Sequence, residues 1–231
     1  MLVKGKDSNM AAQKSFKSRV RDEIIANANM FKEYFVDYDY LICSEAFTKF
    51  SYYIITAHGD NYEHLTGVAS DISAEEFFQK SLSGLLQETD FTFEKSGQTE
   101  IEVKGSVRRK INVLPNLPQL FASGALVEEN FRKNHVECSF AAGETTYTLG
   151  FSSSFPAKPK SLMKGNQLDE KKAKPIELIL RRGHGETLFD EIILGKIEAL
   201  KKYASDILPF LSEKLLKIIL KQGSTAAVTT K

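Results

Sequence analysis

A strand, a tight turn and a short helix within residues 51–78 constrain this chain most: SYYIITAHGDNYEHLTGVASDISAEEFF. Residues 51–56 are rich in aromatic and β-branched side chains, which favour a pleated, half-buried strand. The turn-forming residues 58–61 end that strand, and the last two of them can cap a helix that stops at Gly67. His64 therefore lies on a short helix directly after a strand. That position suits either catalysis or the packing of an imidazole.

The segments on both sides of this helix have clear patterns. Apolar and aromatic residues recur at every second position over residues 37–47 and 50–57, which predicts a β-hairpin. The second strand carries apolar side chains on both faces, so we expect it to be covered on both sides. After His64, Ser73 and Glu76 form a capping box that opens a second helix, which is expected to end near Leu86.

The rest of the chain completes the prediction of an α+β fold, a twisted and mainly antiparallel sheet flanked by helices. An apolar stripe predicts a helix over residues 11–35, and residues 196–220 predict an amphipathic helical hairpin broken at Pro209. Residues 107–114 fit either a strand or a helix. The lysine-rich segment 158–174 is expected to be an exposed loop. Further strands are predicted at residues 125–131, 135–142, 145–152 and 175–182.

These elements predict one α+β domain over residues 11–222. A disordered tail is expected before it, at residues 1–10, and a flexible tail after it, at residues 223–231. The amphipathic helices near the end are expected to dock on the core or on a partner protein, because their apolar faces need a cover.

Several phrases of the sequence match the pattern of one nuclease family. The phrase NYEHLTGV is preceded by the predicted hairpin and followed by SAEEFFQKSLSG, and residues 147–151 and 159–162 fit the same pattern. Together they resemble the phage-associated members of the Barnase–EndoU–colicin–RelE-like nuclease superfamily, which carry an aromatic-x-His-Leu-x-Gly-aliphatic phrase at this place. The resemblance covers roughly residues 38–163. It implies a nuclease fold, an RNA substrate and a catalytic role for His64.

A ribonuclease of this kind needs neither a cofactor nor a metal ion. It needs a base for the 2′-hydroxyl, an acid for the leaving 5′-oxygen, and cations or hydroxyls around the phosphate. The sequence contains no phosphate-binding Walker loop, dinucleotide fingerprint, nucleophile elbow or zinc-helix motif, which disfavours the enzymes that depend on them. We therefore expect neither a cofactor nor a bound metal.

Candidate site residues follow from this chemistry. Histidine suits proton transfer near neutral pH, the arginine fork suits a phosphate, and serine hydroxyls can orient it. The expected catalytic residues are His64, Arg109 and Ser161. The expected substrate-binding residues are Arg108, Lys110, Ser154 and Lys160.

The other three histidines have weaker claims on catalysis. His58 ends a strand at an open turn and could serve in place of His64. His135 opens a strand in a surface connection. His184 lies in an Arg-Arg-Gly-His-Gly turn, which could surround a phosphate but is more often a plain β-turn.

Composition sets broad limits on location and partners. The chain of 231 residues has a net charge of +1, which gives no global signal for nucleic acid but leaves room for a local basic patch. Cys43 and Cys138 lie in apolar surroundings and are expected to be buried free thiols, as in a reducing compartment. Neither a signal peptide nor a membrane span is apparent, so a cytoplasmic protein without membrane contact is expected.

Two functions from different classes remain open on the sequence. The first is a metal-independent endoribonuclease, a toxin or mobile-element effector that cleaves RNA by attack of the 2′-hydroxyl. The alternative is a non-catalytic phage or mobile-element protein that binds and modulates a host protein or nucleic-acid complex through its C-terminal helices. The convergence of His64, an arginine and a hydroxyl in one open cleft would favour the first.

Overall fold

A computed structural model describes residues 14–122 and 124–221 of the chain. The tails expected at residues 1–10 and 223–231 lie outside the described residues. The α-helices are α1 (Phe16–Phe31), α2 (Asn61–Thr66), α3 (Ala74–Leu82), α4 (Glu100–Ile111), α5 (Ile197–Ile207) and α6 (Glu213–Lys221). Shorter turns of π- or 3₁₀-helix occupy Lys32–Val36, Glu88–Asp90, Leu114–Phe121 and Leu208–Phe210.

The strands are short and pair in antiparallel fashion. In chain order they are β1 (Tyr38–Cys43), β2 (Tyr52–Ile55), β3 (Ala69–Ser70), β4 (Phe91–Thr92), β5 (Leu126–Glu129), β6 (Arg132–Lys133), β7 (Val136–Glu137), β8 (Phe140–Gly143), β9 (Tyr147–Phe151), β10 (Pro159–Lys164), β11 (Lys174–Pro175), β12 (Leu178–Gly183) and β13 (Glu191–Leu194). The α+β class with flanking N- and C-terminal helices is confirmed.

The first sheet has the strand order β13-β12-β1-β2 and is covered on both faces. Successive side chains of a strand point to opposite faces, so Ile42 and Ile55 join the main core while Leu41 and Ile54 join a second apolar cluster. The double cover expected for the second strand is therefore present. The predicted hairpin is confirmed by the pairing of β1 with β2.

The second sheet has the order β10-β9-β8-β5-β11, so the chain forms two main sheets where the sequence suggested one. Backbone bonds join them, since Thr56 N–H donates to the Ala157 carbonyl and Ala157 N–H donates to the Ile54 carbonyl. Helices α1 to α4 cover one face of this arrangement and enclose the main core. The short β6–β7 hairpin projects from the second sheet between β5 and β8.

The C-terminal helices α5 and α6 are separated at Pro209, as predicted. Their apolar residues, including Leu200, Ile207 and Leu215, are buried against the outer face of the first sheet. The expected docking on the core is therefore observed. Cys43 and Cys138 are free and buried, as expected, and burial raises the pKa of both thiols.

The loop expected over residues 158–174 is wrong in its first half, because β10 occupies Pro159–Lys164. This strand lies at the edge of its sheet, where proline at the first position and exposed lysines are tolerated and discourage pairing with another chain. The same residues resemble a loop when only composition is considered. The ambiguous segment around residue 107 is the second half of helix α4, which begins at a capping box between Thr99 and Glu102.

The single domain over residues 11–222 stays a prediction, and both of its boundaries lie outside the described residues. Within residues 14–122 and 124–221, no helix has the length and apolar character required to cross a bilayer.

Candidate functional site

Helix α2 is fixed by its own sequence and by one buried anchor. The Asn61 side chain accepts a hydrogen bond from His58 N–H, at 2.9 Å, which closes the turn before the helix. The Tyr62 hydroxyl is buried and donates to the Ile24 carbonyl of α1 at 2.6 Å. The Thr66 hydroxyl donates to the Glu63 carbonyl at 2.7 Å. These residues of the NYEHLTG phrase are therefore structural.

Gly67 ends the helix and makes room for a lysine. Its φ of +82° is the left-handed conformation that favours glycine at a helix C-terminus. A Cβ at this position would lie 2.7 Å from Cδ of Lys110, so any other residue would force that side chain to move. The Lys110 Nζ donates to the His64 carbonyl at 2.8 Å, which satisfies an acceptor that the end of the helix leaves open.

His64 differs from its neighbours in the phrase because its side chain is exposed. Within the described part of the chain, its imidazole makes no hydrogen bond, whereas its main-chain carbonyl binds the Lys110 ammonium. The local fold therefore does not require an imidazole here. An exposed histidine on a helix held this firmly is available to a ligand.

An open cleft of about 460 Å³ lies between the end of α2, helix α4 and the edge strand β10. Arg109 and Lys110 line it from the helix, and Ser161 lines it from the strand. Among the described residues, the side chains of Arg109 and Ser161 have no ion pair or hydrogen bond, so their donors face the cleft unoccupied by protein. The predicted Arg109, Lys110 and Ser161 therefore line the same cleft, although residues 111–160 separate the serine from the two cations in sequence.

The cleft is strongly positive for a chain of net charge +1. Five cations, and no carboxylate, occur among the described residues that line it. Such a concentration of one sign in a concave site attracts anions more strongly than the net charge suggests. The five cations are Lys95, Arg109, Lys110, Lys133 and Lys164.

Burial alters the acidity of two lysines in this cleft. Loss of hydration, and secondarily the nearby charge of Lys95, lower the pKa of Lys110 to about 8. Burial also lowers the pKa of Lys95, an effect that the carboxylate of Glu63 partly offsets. Lys110 is therefore a stronger proton donor than an exposed lysine, because its ammonium is less well solvated.

His64 does not itself line this cleft, and the remaining predicted residues also lie outside it. The guanidinium of Arg108 stands 5.1 Å from the centre of the Phe16 ring and lines a separate cavity beside α1. Lys160 points to the other side of β10 from Ser161, and its Nζ donates to the Glu137 carbonyl at 2.9 Å. Ser154 donates to the Pro156 carbonyl at 2.8 Å and stabilises a loop. Their assignment to substrate binding stays a prediction.

The segment that contains the cleft matches a known protein family. Residues 23–180 match the sequence profile of a family described as phage-Barnase-EndoU-ColicinE5/D-RelE like nuclease 4. The chain belongs to this nuclease family. The resemblance inferred from the NYEHLTGV phrase is confirmed, and the matched segment contains α2, α4 and β10, which form the cleft. No curated protein and no solved structure matches the chain.

A second polar cluster in this nuclease fold was not anticipated from the sequence. The Asp39 carboxylate is buried and accepts hydrogen bonds from the Thr56 hydroxyl at 2.7 Å and from Arg182 Nε at 3.1 Å. His184 Nδ1 lies 3.0 Å from the same carboxylate. The rings of His58 and His184 are perpendicular, with centroids 5.2 Å apart.

A signal for this cluster was present in β1, where Asp39 interrupts a run of apolar and aromatic residues. A buried carboxylate requires a cation and donors, and Arg182 is its cross-strand partner in the β1–β12 register. None of the cluster's residues lines the basic cleft of the nuclease. Asp39 and Arg182 neutralise each other in an ion pair. The cluster therefore holds together the ends of β1, β2 and β12.

Proposed function

We propose that this member of the nuclease family is a metal-independent endoribonuclease whose reaction takes place in the basic cleft. One observation carries the proposal. Arg109, Lys110 and Ser161 converge on an open cleft that is lined by cations, and the helix carrying the exposed His64 borders it. A phosphodiester has the charge and the size that such a site selects.

The proposed reaction is a transesterification within RNA. The 2′-oxygen forms a bond to the adjacent phosphorus while the bond from phosphorus to the 5′-oxygen breaks. The proton of the 2′-hydroxyl passes to a base, and the leaving 5′-oxygen receives a proton from an acid. The products are a 2′,3′-cyclic phosphate end and a 5′-hydroxyl end, so no water, metal or cofactor takes part in this step.

The residues divide these roles according to their chemistry. In the reaction at pH 7, the imidazole of His64 takes the proton from the 2′-hydroxyl, because a histidine ring nitrogen can accept a proton. The Lys110 ammonium, with a pKa of about 8, remains mainly protonated at that pH and gives its proton to the 5′-oxygen. Arg109 donates its fork to the non-bridging oxygens, where charge develops, and the Ser161 hydroxyl orients the phosphate.

The test is cleavage of a defined RNA by purified protein in the presence of EDTA. We expect wild type to produce 2′,3′-cyclic ends, and His64→Ala and Lys110→Gln each to lower the rate by about 100-fold or more. Lys214→Gln is the matched control, because Lys214 is an exposed lysine on α6 and outside the cleft. Each variant is checked for folding by circular dichroism.

Absence of cleavage by a folded wild-type protein would overturn this proposal. Cleavage that survives both His64→Ala and Lys110→Gln would place the reaction elsewhere in the molecule. Cleavage that requires added Mg²⁺ would remove metal independence while leaving nuclease activity in place. The action of the protein as a toxin or mobile-element effector is a further prediction, for which toxicity on expression in bacteria is the measurement.

The alternative of a non-catalytic binding protein has no comparable observation in its favour. Its expected partner surface was the amphipathic pair α5 and α6, but the buried apolar residues of these helices contact the chain's own sheet. A partner protein at their exposed faces stays a prediction.

A further inference from the structure

We propose that single-stranded RNA extends from the basic cleft, over the β6–β7 hairpin, into a neighbouring cavity where a base stacks on Phe155. The inference rests on the proposed ribonuclease function and adds the form of the substrate and a second binding subsite to it. It is supported by the shared walls of the two cavities, by their charge, and by an exposed aromatic side chain on a firmly held loop.

The two cavities share the same strand and the same hairpin. Ser161 lines the cleft, while the preceding residue, Lys160, lines a second cavity of about 310 Å³. The hairpin contributes Lys133 to the cleft and Arg132 to the second cavity. Consecutive residues of one strand point to opposite sides. The strands β10 and β6 therefore each contribute one residue of a consecutive pair to either cavity. A flexible polymer that crosses this ridge can therefore occupy both.

The charge along this path fits a chain of phosphates. The second cavity adds the cations Arg132 and Lys160 to the five of the cleft, and Glu137 is the carboxylate among the described residues that line it. Arg132 Nε lies 3.8 Å from that carboxylate in an exposed pair, which contributes little to stability. One of the three N–H donors of the Lys160 ammonium is bonded to the Glu137 carbonyl, so two remain for a phosphate oxygen.

An exposed aromatic residue lies on the loop that reaches the second cavity through Ser153. Phe155 is 66% exposed and follows Ser153, a lining residue of that cavity, by two positions. The loop is held by bonds from Ser154 to the Pro156 carbonyl and from Lys158 N–H to the Ser152 hydroxyl. A large apolar ring kept in solvent by an ordered loop has no role in the core.

A ring of this kind beside a row of cations selects unpaired bases. Proteins bind single strands by combining a positive groove for the backbone with aromatic side chains on which bases stack. Bases inside a duplex are already stacked on one another and are inaccessible to Phe155. We therefore expect a preference for single-stranded over double-stranded RNA.

Fluorescence anisotropy with a labelled 12-nucleotide RNA tests the path. The RNA carries 2′-O-methyl groups, which block attack by the 2′-oxygen and separate binding from cleavage. We expect Phe155→Ala to weaken binding roughly tenfold, the loss of one stacked base. Lys160→Gln should weaken it about threefold, as expected for one phosphate contact in moderate salt. The same RNA annealed into a duplex should bind more weakly and should not respond to Phe155→Ala.

Phe50→Ala and Lys214→Gln are the matched controls, because both residues are exposed and neither lines the two cavities. Equal losses in Phe155→Ala and Phe50→Ala, or duplex binding as tight as single-strand binding, would overturn the path. Cleavage of natural RNA that depends on Lys110 but binding that ignores Phe155 would overturn the path and leave the proposed function standing. Binding that depends on Phe155, without cleavage, would support the path and overturn the proposed function.

Discussion

Lys110 joins the fold of this protein to its proposed chemistry. Its side chain passes the space left by Gly67, its ammonium binds the carbonyl of His64, and it lines the basic cleft. The ammonium of a lysine is ordinarily well hydrated. Lys110 loses part of this hydration in the fold, and the loss lowers its pKa to about 8. Positions of this kind favour function over stability.

The pH dependence of cleavage should report the acidity of Lys110. If its ammonium is the proton donor, the protonated form is the active one, and the rate falls as pH rises through about 8. Lys110→Arg keeps the charge but does not lose its proton in this range, so residual activity should lose that falling limb. The measurement is kcat/KM from pH 6 to 9.5 for both proteins. An unchanged limb in Lys110→Arg would remove Lys110 from the acid role.

The stability of the protein should respond to the same titration with a defined sign. The pKa of Lys110 is about 8 in the folded protein and about 10.4 in the unfolded chain. Between these values the unfolded chain binds more protons, so the free energy of unfolding rises with pH. Relative to Lys110→Met, wild type should gain about 1 kcal/mol between pH 7 and 9.5, allowing for screening by solvent.

Urea unfolding of wild type and Lys110→Met at both pH values measures this difference. At pH 7 the variant should be within about 1 kcal/mol of wild type, because the lost hydrogen bond offsets the relief of the buried charge. A constant difference across the range would show that Lys110 has an ordinary pKa in the folded protein.

Gly67 should be required for the position of Lys110 as well as for the helix end. Gly67→Ala introduces a strained left-handed alanine, at a cost of about 1–2 kcal/mol, and a Cβ 2.7 Å from Lys110 Cδ. Gly84→Ala is the matched control, since Gly84 has φ +72° and no atom within 4 Å of its Cβ position. We expect both variants to be destabilised, but a loss of RNA cleavage only in Gly67→Ala. Equal cleavage by the two variants would contradict the role assigned to the clash.

At the scale of elements, α2 depends on α1 and on its own turns for its position. The helix has six residues, too few for independent stability, so its packing must hold it. The Tyr62 hydroxyl supplies a buried bond to α1, and the Tyr62 ring packs against Phe31 and Phe78. The structural residues of the motif thereby hold α2 against α4 and β10, with the carbonyl of His64 bonded to Lys110.

Tyr62→Phe should lower the free energy of unfolding by about 1 kcal/mol, the usual net value of a hydrogen bond. Tyr147→Phe is the matched control, since the Tyr147 hydroxyl is buried without a partner among the described residues and its removal should be neutral or stabilising. Chemical unfolding of both variants is the measurement. A stable Tyr62→Phe protein with lost cleavage would instead show that this hydroxyl positions the site more than it stabilises the fold.

At the scale of the whole molecule, charge is segregated. The chain as a whole is nearly neutral, yet the cleft and the adjoining cavity collect cations. Nucleic-acid binding should therefore arise from these two adjoining sites and weaken with salt. Net charge alone does not reveal such sites, because carboxylates elsewhere cancel their charge in the sum.

Salt titration of RNA binding should separate the two neighbouring arginines of α4. Each phosphate contact to a single strand contributes a slope of about −0.7 in a plot of log affinity against log salt. Arg109→Gln should reduce the magnitude of the slope by about that amount, since Arg109 lines the cleft. Arg108→Gln is the matched control, because its guanidinium lies over Phe16 in another cavity. A larger change in Arg108→Gln would restore it as the substrate-binding arginine.

The sequence by itself determined the local elements and the family. The N-cap Ser73 of α3, the end of α2 at Gly67, the β1–β2 hairpin and the break at Pro209 are governed by neighbours in the chain, so short patterns predicted them. The cap expected at the start of α2 is wrong, because Asp60 makes no side-chain capping bond and Asn61 accepts from His58 N–H instead. The loop predicted from composition at β10 was wrong, because edge strands carry the lysine and proline that loops also carry. The division of the strands into two main sheets was not predicted, since long-range pairing decides which strands join.

Only the tertiary structure decided which chemical groups meet. Local pattern placed both Arg108 and Arg109 in the site, but the rotation of about 100° per residue on a helix sends them to different cavities. Loss of hydration beside α2 lowers the pKa of Lys110, and the loop that carries the exposed Phe155 reaches the second cavity through Ser153. Solvation and contact between distant segments depend on the assembled core, so no stretch of sequence alone specifies them.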